Sequence, residues 1–222
     1  MRKNRWVFTL IVFSLLLLAA CGESNDSSHK ENADHDKSND TPLKVVIDPG
    51  HGGVDVGATG VSGQHEKDFT LNVSKKVEKL LEQEPNIQVF MTRVDDQFIS
   101  QESRHRPNYA NEIEADLFIS IHGNTFSDPN VSGTETFYYH KHSQHFAEIM
   151  QKHVVDATGF RDRGALKKDL FVVKDTKMPA ALIEIGYLTN PQDESDMWDE
   201  DFQNRVADAI VEGIKEYQDR AL

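Results

Sequence analysis

Cysteine occurs once in the 222 residues, at Cys21. No disulfide can therefore form within the chain, and no cysteine-based zinc site can be assembled. Positive charge is also scarce. The 24 Lys and Arg against 37 Asp and Glu leave a formal net charge of −13. A surface this acidic repels polyanions, which excludes nucleic acid as a partner. The apolar run Trp6–Leu18 is too short to span a bilayer. No internal repeat is present, and neither a Walker loop nor a dinucleotide fingerprint occurs, so phosphate binding is disfavoured.

What is present begins with a leader. Arg2, Lys3 and Arg5 form a positive segment ahead of the apolar run, and Ala19 and Ala20 supply small residues before Cys21, the pattern of a secretory signal. Leu18-Ala19-Ala20-Cys21 resembles the lipobox of bacterial lipoproteins. That resemblance implies removal of residues 1–20, lipid attachment at Cys21 and tethering to the outer face of the cytoplasmic membrane. Loss of the leader takes the net charge from −13 to about −16. Electrostatics would then not draw the chain to anionic lipid, and the lipid anchor must hold it there. Residues 21–42 are expected to be a disordered polar linker, since Glu23–Thr41 holds no large apolar residue and cannot offset the entropy of ordering. Its His29 and His35 read as part of a soluble leash.

Residues 43–222 are long enough to bury a core. Asp116–Asn124 (DLFISIHGN) is a near-continuous apolar run, as in a strand buried on both faces of a parallel sheet. It ends in His122. Leu43–Ile47 likewise runs into a loop with His51, and Ala180–Ile183 runs into Glu184. In open α/β sheets, ligands bind beyond the carboxyl ends of the strands. Each of these residues alone reads as a hydrogen-bonded strand end or a solvated carboxylate. Their recurrence at three strand ends marks a site.

Further strands are expected at Asn86–Met91, at Gly133–Tyr139 on an edge, and at Leu170–Val173. Helical spacing of Phe69, Val73, Val77, Leu80 and Leu81 predicts a helix. Others are expected over Gln101–Glu114, broken or kinked at Pro107, over His142–Ala157, and along the stripe from Phe202 to Tyr217. The whole predicts an α/β fold, a twisted and mostly parallel sheet of about six strands with helices on both faces. Six glycines between Gly50 and Gly63 allow close approach of backbone. Glu66, at the start of the first helix, has two readings: partner of the helix dipole, or metal ligand.

If His51, Glu66 and His122 meet, they form the ligand set of a catalytic zinc, two imidazoles and a carboxylate with a position left for water. Glu184 is then placed to move a proton from that water to a leaving nitrogen. Asp48 or a backbone carbonyl would orient His51. The ligands lie 15 and 56 residues apart, so no local HExxH-type signature exists.

VVIDPGHGG (45–53), Glu66 in HEKDFTLNVSKK, MTR (91–93), Arg106 with YAN, ADLFISIHGN (115–124), GTETFYY and PAALIEIGYLTNP (179–191) together resemble the zinc-dependent N-acetylmuramoyl-L-alanine amidases of the amidase-3 family. The resemblance covers residues 43–218 in order. It implies one zinc per chain on His51, Glu66 and His122, with Glu184 as acid/base. It also implies cleavage of the amide between N-acetylmuramic acid and L-alanine of the peptidoglycan stem peptide. Arg106 and Asn111 match a framework segment, with a substrate role open to both; Asn124 either contacts substrate or caps its turn. Division-linked members carry a helix after the GTETFYY-equivalent strand that plugs the site. Here His140–Gln144 runs straight into the next helix, which implies an accessible zinc, and no obligate protein partner is expected. His140, His142 and His145 read as a solvated patch. Competing functions are a zinc peptidase acting within the stem peptide and a lipoprotein that binds wall fragments without cleaving them.

Overall fold

The three strand ends singled out in the sequence lie side by side in the middle of a six-stranded sheet. A computed structural model of the chain describes residues 41–221. The expected leader 1–20, Cys21 and nearly all of the 21–42 linker, with His29 and His35, lie outside the described residues. No helix among the described residues is long and apolar enough to cross a membrane.

The strands are β1 (Leu43–Pro49), β2 (Ile87–Met91), β3 (Leu117–Asn124), β4 (Thr134–Tyr138), β5 (Asp162–Lys167) and β6 (Ala180–Tyr187). Their order across the sheet is β2-β1-β3-β6-β4-β5. β1 runs parallel to β2 and β3, and β3 parallel to β6; β4 is antiparallel to β6 and carries β5 parallel to itself. The sheet is thus mostly parallel, as expected.

The helices are α1 (Glu66–Leu81), α2 (His105–Glu112), α3 (Gln144–Thr158), α4 (Phe171–Lys174), α5 (Pro191–Met197) and α6 (Glu200–Ala221). α1, α3 and α6 bury Phe69, Val73, Phe146, Val206 and Ile210 against Val45, Ile47, Ile119, Ile121 and Ile183 of one sheet face. On the other face Val46, Phe118 and Leu182 meet Ala110 of α2 and Val172 and Val173 of α4. Alternate residues of one strand therefore point into two cores, which is why β3 reads as an unbroken apolar run.

Four local expectations are corrected. Leu170–Val173 is not a strand; residues 171–174 form α4, because a four-residue apolar run is too short to carry a period. The sixth strand is β5, DRGALK, a half-exposed edge without the apolar signature of a buried strand. Gly133–Tyr139 is not an edge, since β4 lies between β6 and β5. The helix before β3 is neither broken nor kinked at Pro107. A separate 3-10 turn, Gln101–Ser103, precedes it, and the break falls at Arg104, in the left-handed region at φ 53°. Pro107 sits in the first turn of α2, where its missing N–H costs nothing.

Candidate active site

The register brings the site together. Pro49 of β1 pairs with Ile121 of β3, and His122 pairs with Glu184 of β6. His51, His122 and Glu184 consequently leave the sheet at one edge. Glu66 is the first residue of α1, the helix that follows the glycine-rich loop and packs across β1 and β3.

One ligand atom from each of His51, Glu66 and His122 lies within 4.8 Å of the others, a group able to hold a metal ion. Glu66 Oε1 is 3.1 Å from His51 Nε2 and 2.9 Å from His122 Nδ1. Zinc–donor bonds of ~2.0–2.1 Å in a tetrahedron would set neighbouring donors roughly 3.3 Å apart, so the cluster has the right size. The backbone N–H of Gly123 donates to the same Oε1 at 3.1 Å, and the N–H of Ala58 holds the other oxygen, Oε2, at 2.8 Å. Both imidazoles reach the surface: the His51 side chain is 20% exposed and that of His122 17%, against 5% for Glu66.

Two glycines make this cluster possible. A Cβ on Gly50 would stand 2.3 Å from the His122 ring, and one on Gly57 would stand 2.6 Å from both Glu66 Oε2 and His51 Cδ2. Gly57 also has φ 67°. His51 itself adopts φ 61°, a conformation that costs a non-glycine residue of order 1–3 kcal/mol and persists only where its surroundings hold it.

The hold comes from beneath. Arg106 donates through Nη2 to the His51 carbonyl at 2.6 Å, and through Nη1 to the Pro49 carbonyl and to Asp48 Oδ1, each at 2.6 Å. Asp48 is fully buried and also accepts from Thr92 Oγ1 at 2.5 Å and Ser120 Oγ at 2.7 Å. Burial alone would raise its pKa, but the Arg106 charge and these hydrogen bonds hold it below the usual carboxylate range. Arg93 adds bonds to the Pro49 and Gly50 carbonyls.

Asp48 therefore does not orient the His51 ring, as the sequence suggested; it is occupied by Arg106. The ring is oriented by Asp55, whose Oδ1 lies 2.9 Å from His51 Nδ1. With Nδ1–H donated there, Nε2 faces Glu66. Burial would lower the His51 pKa, yet hydrogen bonds and charge from Glu66 and Asp55 raise it to about 9. For Glu66 burial is outweighed in the same way by His122 and His51, which hold its carboxyl far below the ordinary range.

Glu184 lies beside His122, with Oε2 enclosed and, among the described residues, without a hydrogen-bond partner. Burial pushes its pKa up to about 7, so the carboxyl can exchange a proton near neutrality. Asn124 is engaged by its neighbours: Nδ2 donates to Glu135 at 2.5 Å, and Oδ1 accepts from the Thr125 N–H at 2.8 Å. Asn111 is framework, bonded to the Asp175 carbonyl and the Lys177 N–H. The three further histidines do not share a helix face. His142 lies in a 3-10 turn with its ring stacked on His140, while His145 on α3 meets Tyr217. The sequence reading missed Asp55, Thr92, Ser120 and Glu135. Only Asp55, four residues after His51, offered a signal.

The family model of N-acetylmuramoyl-L-alanine amidases, amidase-3, matches residues 45–216. This chain belongs to that family. It is an N-acetylmuramoyl-L-alanine amidase, of the class that acts on peptidoglycan. The uncharacterized protein YqiI of Bacillus subtilis is 41% identical over 180 residues, covering 79% of this chain and 85% of the relative. The catalytic domain of the amidase CwlV from Bacillus (Paenibacillus) polymyxa var. colistinus superposes with a TM-score of 0.77 at 44% identity, over 80% of this chain and 98% of that one. The amidase CwlD of Clostridioides difficile, solved in complex with the GerS lipoprotein, has a TM-score of 0.73 at 28% identity, over 80% and 98%.

Proposed function

We propose that this amidase hydrolyses the bond between N-acetylmuramic acid and L-alanine with a single zinc held by His51, Glu66 and His122. The observation that carries the reading is the gathering of these three donors within 4.8 Å, next to an unpartnered Glu184 oxygen. Zinc in such a site lowers the pKa of water toward ~7 and polarises a carbonyl. Glu184 takes the proton of the attacking water and gives it to the departing alanine nitrogen. Arg106 and Asp48 keep the His51 backbone in place, and Asp55 keeps its ring turned so that Nε2 faces the Glu66 carboxylate.

The lipobox-like Leu18-Ala19-Ala20-Cys21 supports a lipid anchor at Cys21 and an extracytoplasmic location on the outer face of the membrane, with residues 21–42 as tether. Independence from a protein partner is part of the same reading. It is supported by the exposure of both imidazoles and by the short link of residues 139–143 between β4 and α3. The CwlD–GerS complex is the precedent against it.

The test is digestion of purified peptidoglycan by the purified chain alone, with and without chelator, and mass spectrometry of the products. Intact stem peptides beginning with L-alanine, lost with chelator and restored by zinc, are expected. Fragments cut inside the stem would establish a zinc peptidase instead, and binding without cleavage a non-enzymatic wall lipoprotein.

A further inference from the structure

Among the described residues six large apolar side chains stand exposed, and five of them lie on loops that leave the site edge of the sheet. Three belong to two loops that touch each other. Val54, 83% exposed, follows β1, while Val94 at 58% and Phe98 at 48% follow β2. Val61 and Phe126 belong elsewhere: their N–H groups bond to the Leu188 carbonyl and to Thr189 Oγ1, past the end of β6. Exposed apolar side chains gathered beside a site mark a binding surface, whereas single scattered ones do not.

The two loops are locked together. A Cβ on Gly53 would stand 2.7 Å from Phe98 Cβ, and one on Gly52 would collide with the Gln97 carbonyl. The backbone at 97–98 therefore rests directly on the chain just after His51. Asp96 accepts from the Gly53 N–H at 2.7 Å, and Lys67 Nζ donates to the Gly53 carbonyl at 2.9 Å and to Asp96 at 2.7 Å. Arg93 fixes the start of the second loop through the Pro49 and Gly50 carbonyls. Phe98 is thus an aromatic ring kept in water by a held backbone, a contact organised before any ligand arrives.

Strand order indicates what lies against it. The order β2-β1-β3-β6 sets the Phe98 loop, His51, His122 and Glu184 in succession along the site edge, one strand spacing of ~4.8 Å after another. In the amidase reading the scissile carbonyl meets the His51–Glu66–His122 cluster and the departing alanine nitrogen meets Glu184. The peptide then leads away past β6, and the lactyl group and its sugar lead toward β1 and β2. A sugar ring presents an uncharged face of C–H groups, which packs on an aromatic ring and its apolar neighbours.

We propose that Phe98, with Val54 and Val94 on the same two loops, is a specificity-determining platform for the glycan strand and holds a sugar ring on the acyl side of the scissile amide. The assignment rests on the amidase reading of the neighbouring site and gives its substrate a direction across the sheet.

The test uses two synthetic substrates with the same stem peptide, one acylated by a disaccharide-bearing muramoyl group and one by the lactyl group alone. For the zinc-loaded wild type, kcat/KM should favour the sugar-bearing substrate by about fivefold to tenfold, the scale of one aromatic stacking contact. Phe98→Ala should bring that ratio close to one through KM, and Phe98→Tyr should keep it. Phe98→Ala with the wild-type ratio, or a wild type without preference, overturns the assignment while the amidase reading stands. Phe98→Ala that keeps the ratio but halves the mass seen by light scattering gives the loops to a second copy of this chain and also overturns it. A zinc-loaded wild type inactive on both substrates overturns the amidase reading and the Phe98 assignment with it.

Discussion

Replacing Asp48 by alanine probes the support under the His51–Glu66–His122 cluster without touching any of its three side chains. In the folded chain its carboxylate is inaccessible and meets Arg106 Nη1 at 2.6 Å, Thr92 Oγ1 at 2.5 Å and Ser120 Oγ at 2.7 Å. The variant leaves the Arg106 guanidinium buried with only carbonyl partners. Removing one member of a buried ion pair costs about 3–5 kcal/mol, a large part of the ~5–15 kcal/mol that holds a domain folded. For a domain of this size 1 kcal/mol moves Tm by ~2–4 °C, so a fall of roughly 6–20 °C is expected. The same variant should bind zinc more weakly, because Arg106 also holds the His51 carbonyl. Thermal unfolding followed by circular dichroism, with metal titration alongside, reads both effects. A Tm within about 2 °C of wild type would refute the claim that this pair supports the site.

Acid should act on the same pair. Because the folded-state pKa of Asp48 is lowered, its stabilisation is complete above the unfolded value and is lost as pH falls through the folded one. Asp48→Asn should therefore flatten the acid limb of a stability–pH curve; an unchanged limb would contradict this. Glu184→Gln should retain zinc and lose about 10²–10⁴-fold in kcat, measured on muramoyl peptide with metal analysis of the same sample. Asp55→Ala should weaken zinc binding by about 10–100-fold, and a competition titration with unchanged affinity would remove Asp55 from its role. His51, whose pKa Glu66 and Asp55 raise to about 9 against the effect of burial, must shed its proton to bind metal. Apparent zinc affinity should rise by about tenfold per pH unit up to about 9 and then level off; calorimetry showing no pH dependence would contradict the assignment.

The parts of the site legible in the sequence are those written in strand grammar. β1, β3 and β6 are buried on both faces, so their apolar runs stand out, and the polar residues that end them fall at one sheet edge by register. Glu66 was legible as the first residue of an amphipathic helix, though only the resemblance chose between its two readings. The support beneath was not legible. Asp48 was expected at the His51 ring because it is near in sequence, but the left-handed φ at His51 turns the ring to Asp55 and leaves Asp48 to an arginine 58 residues away. β5 is not legible in the sequence because an edge strand needs no apolar face, and Leu170–Val173 resembles a strand because four apolar residues carry no period.

The proposed function requires a metal held by three side chains, drawn from the loop after β1, from α1 and from β3. The most direct measurement is the metal content of the purified chain by inductively coupled plasma mass spectrometry, beside His51→Ala, Glu66→Gln and His122→Ala variants that remain folded by circular dichroism. One zinc per wild-type chain, lost in all three variants, is the expected result. Wild-type occupancy in any one of them, or a fully active wild type devoid of metal, would contradict the account.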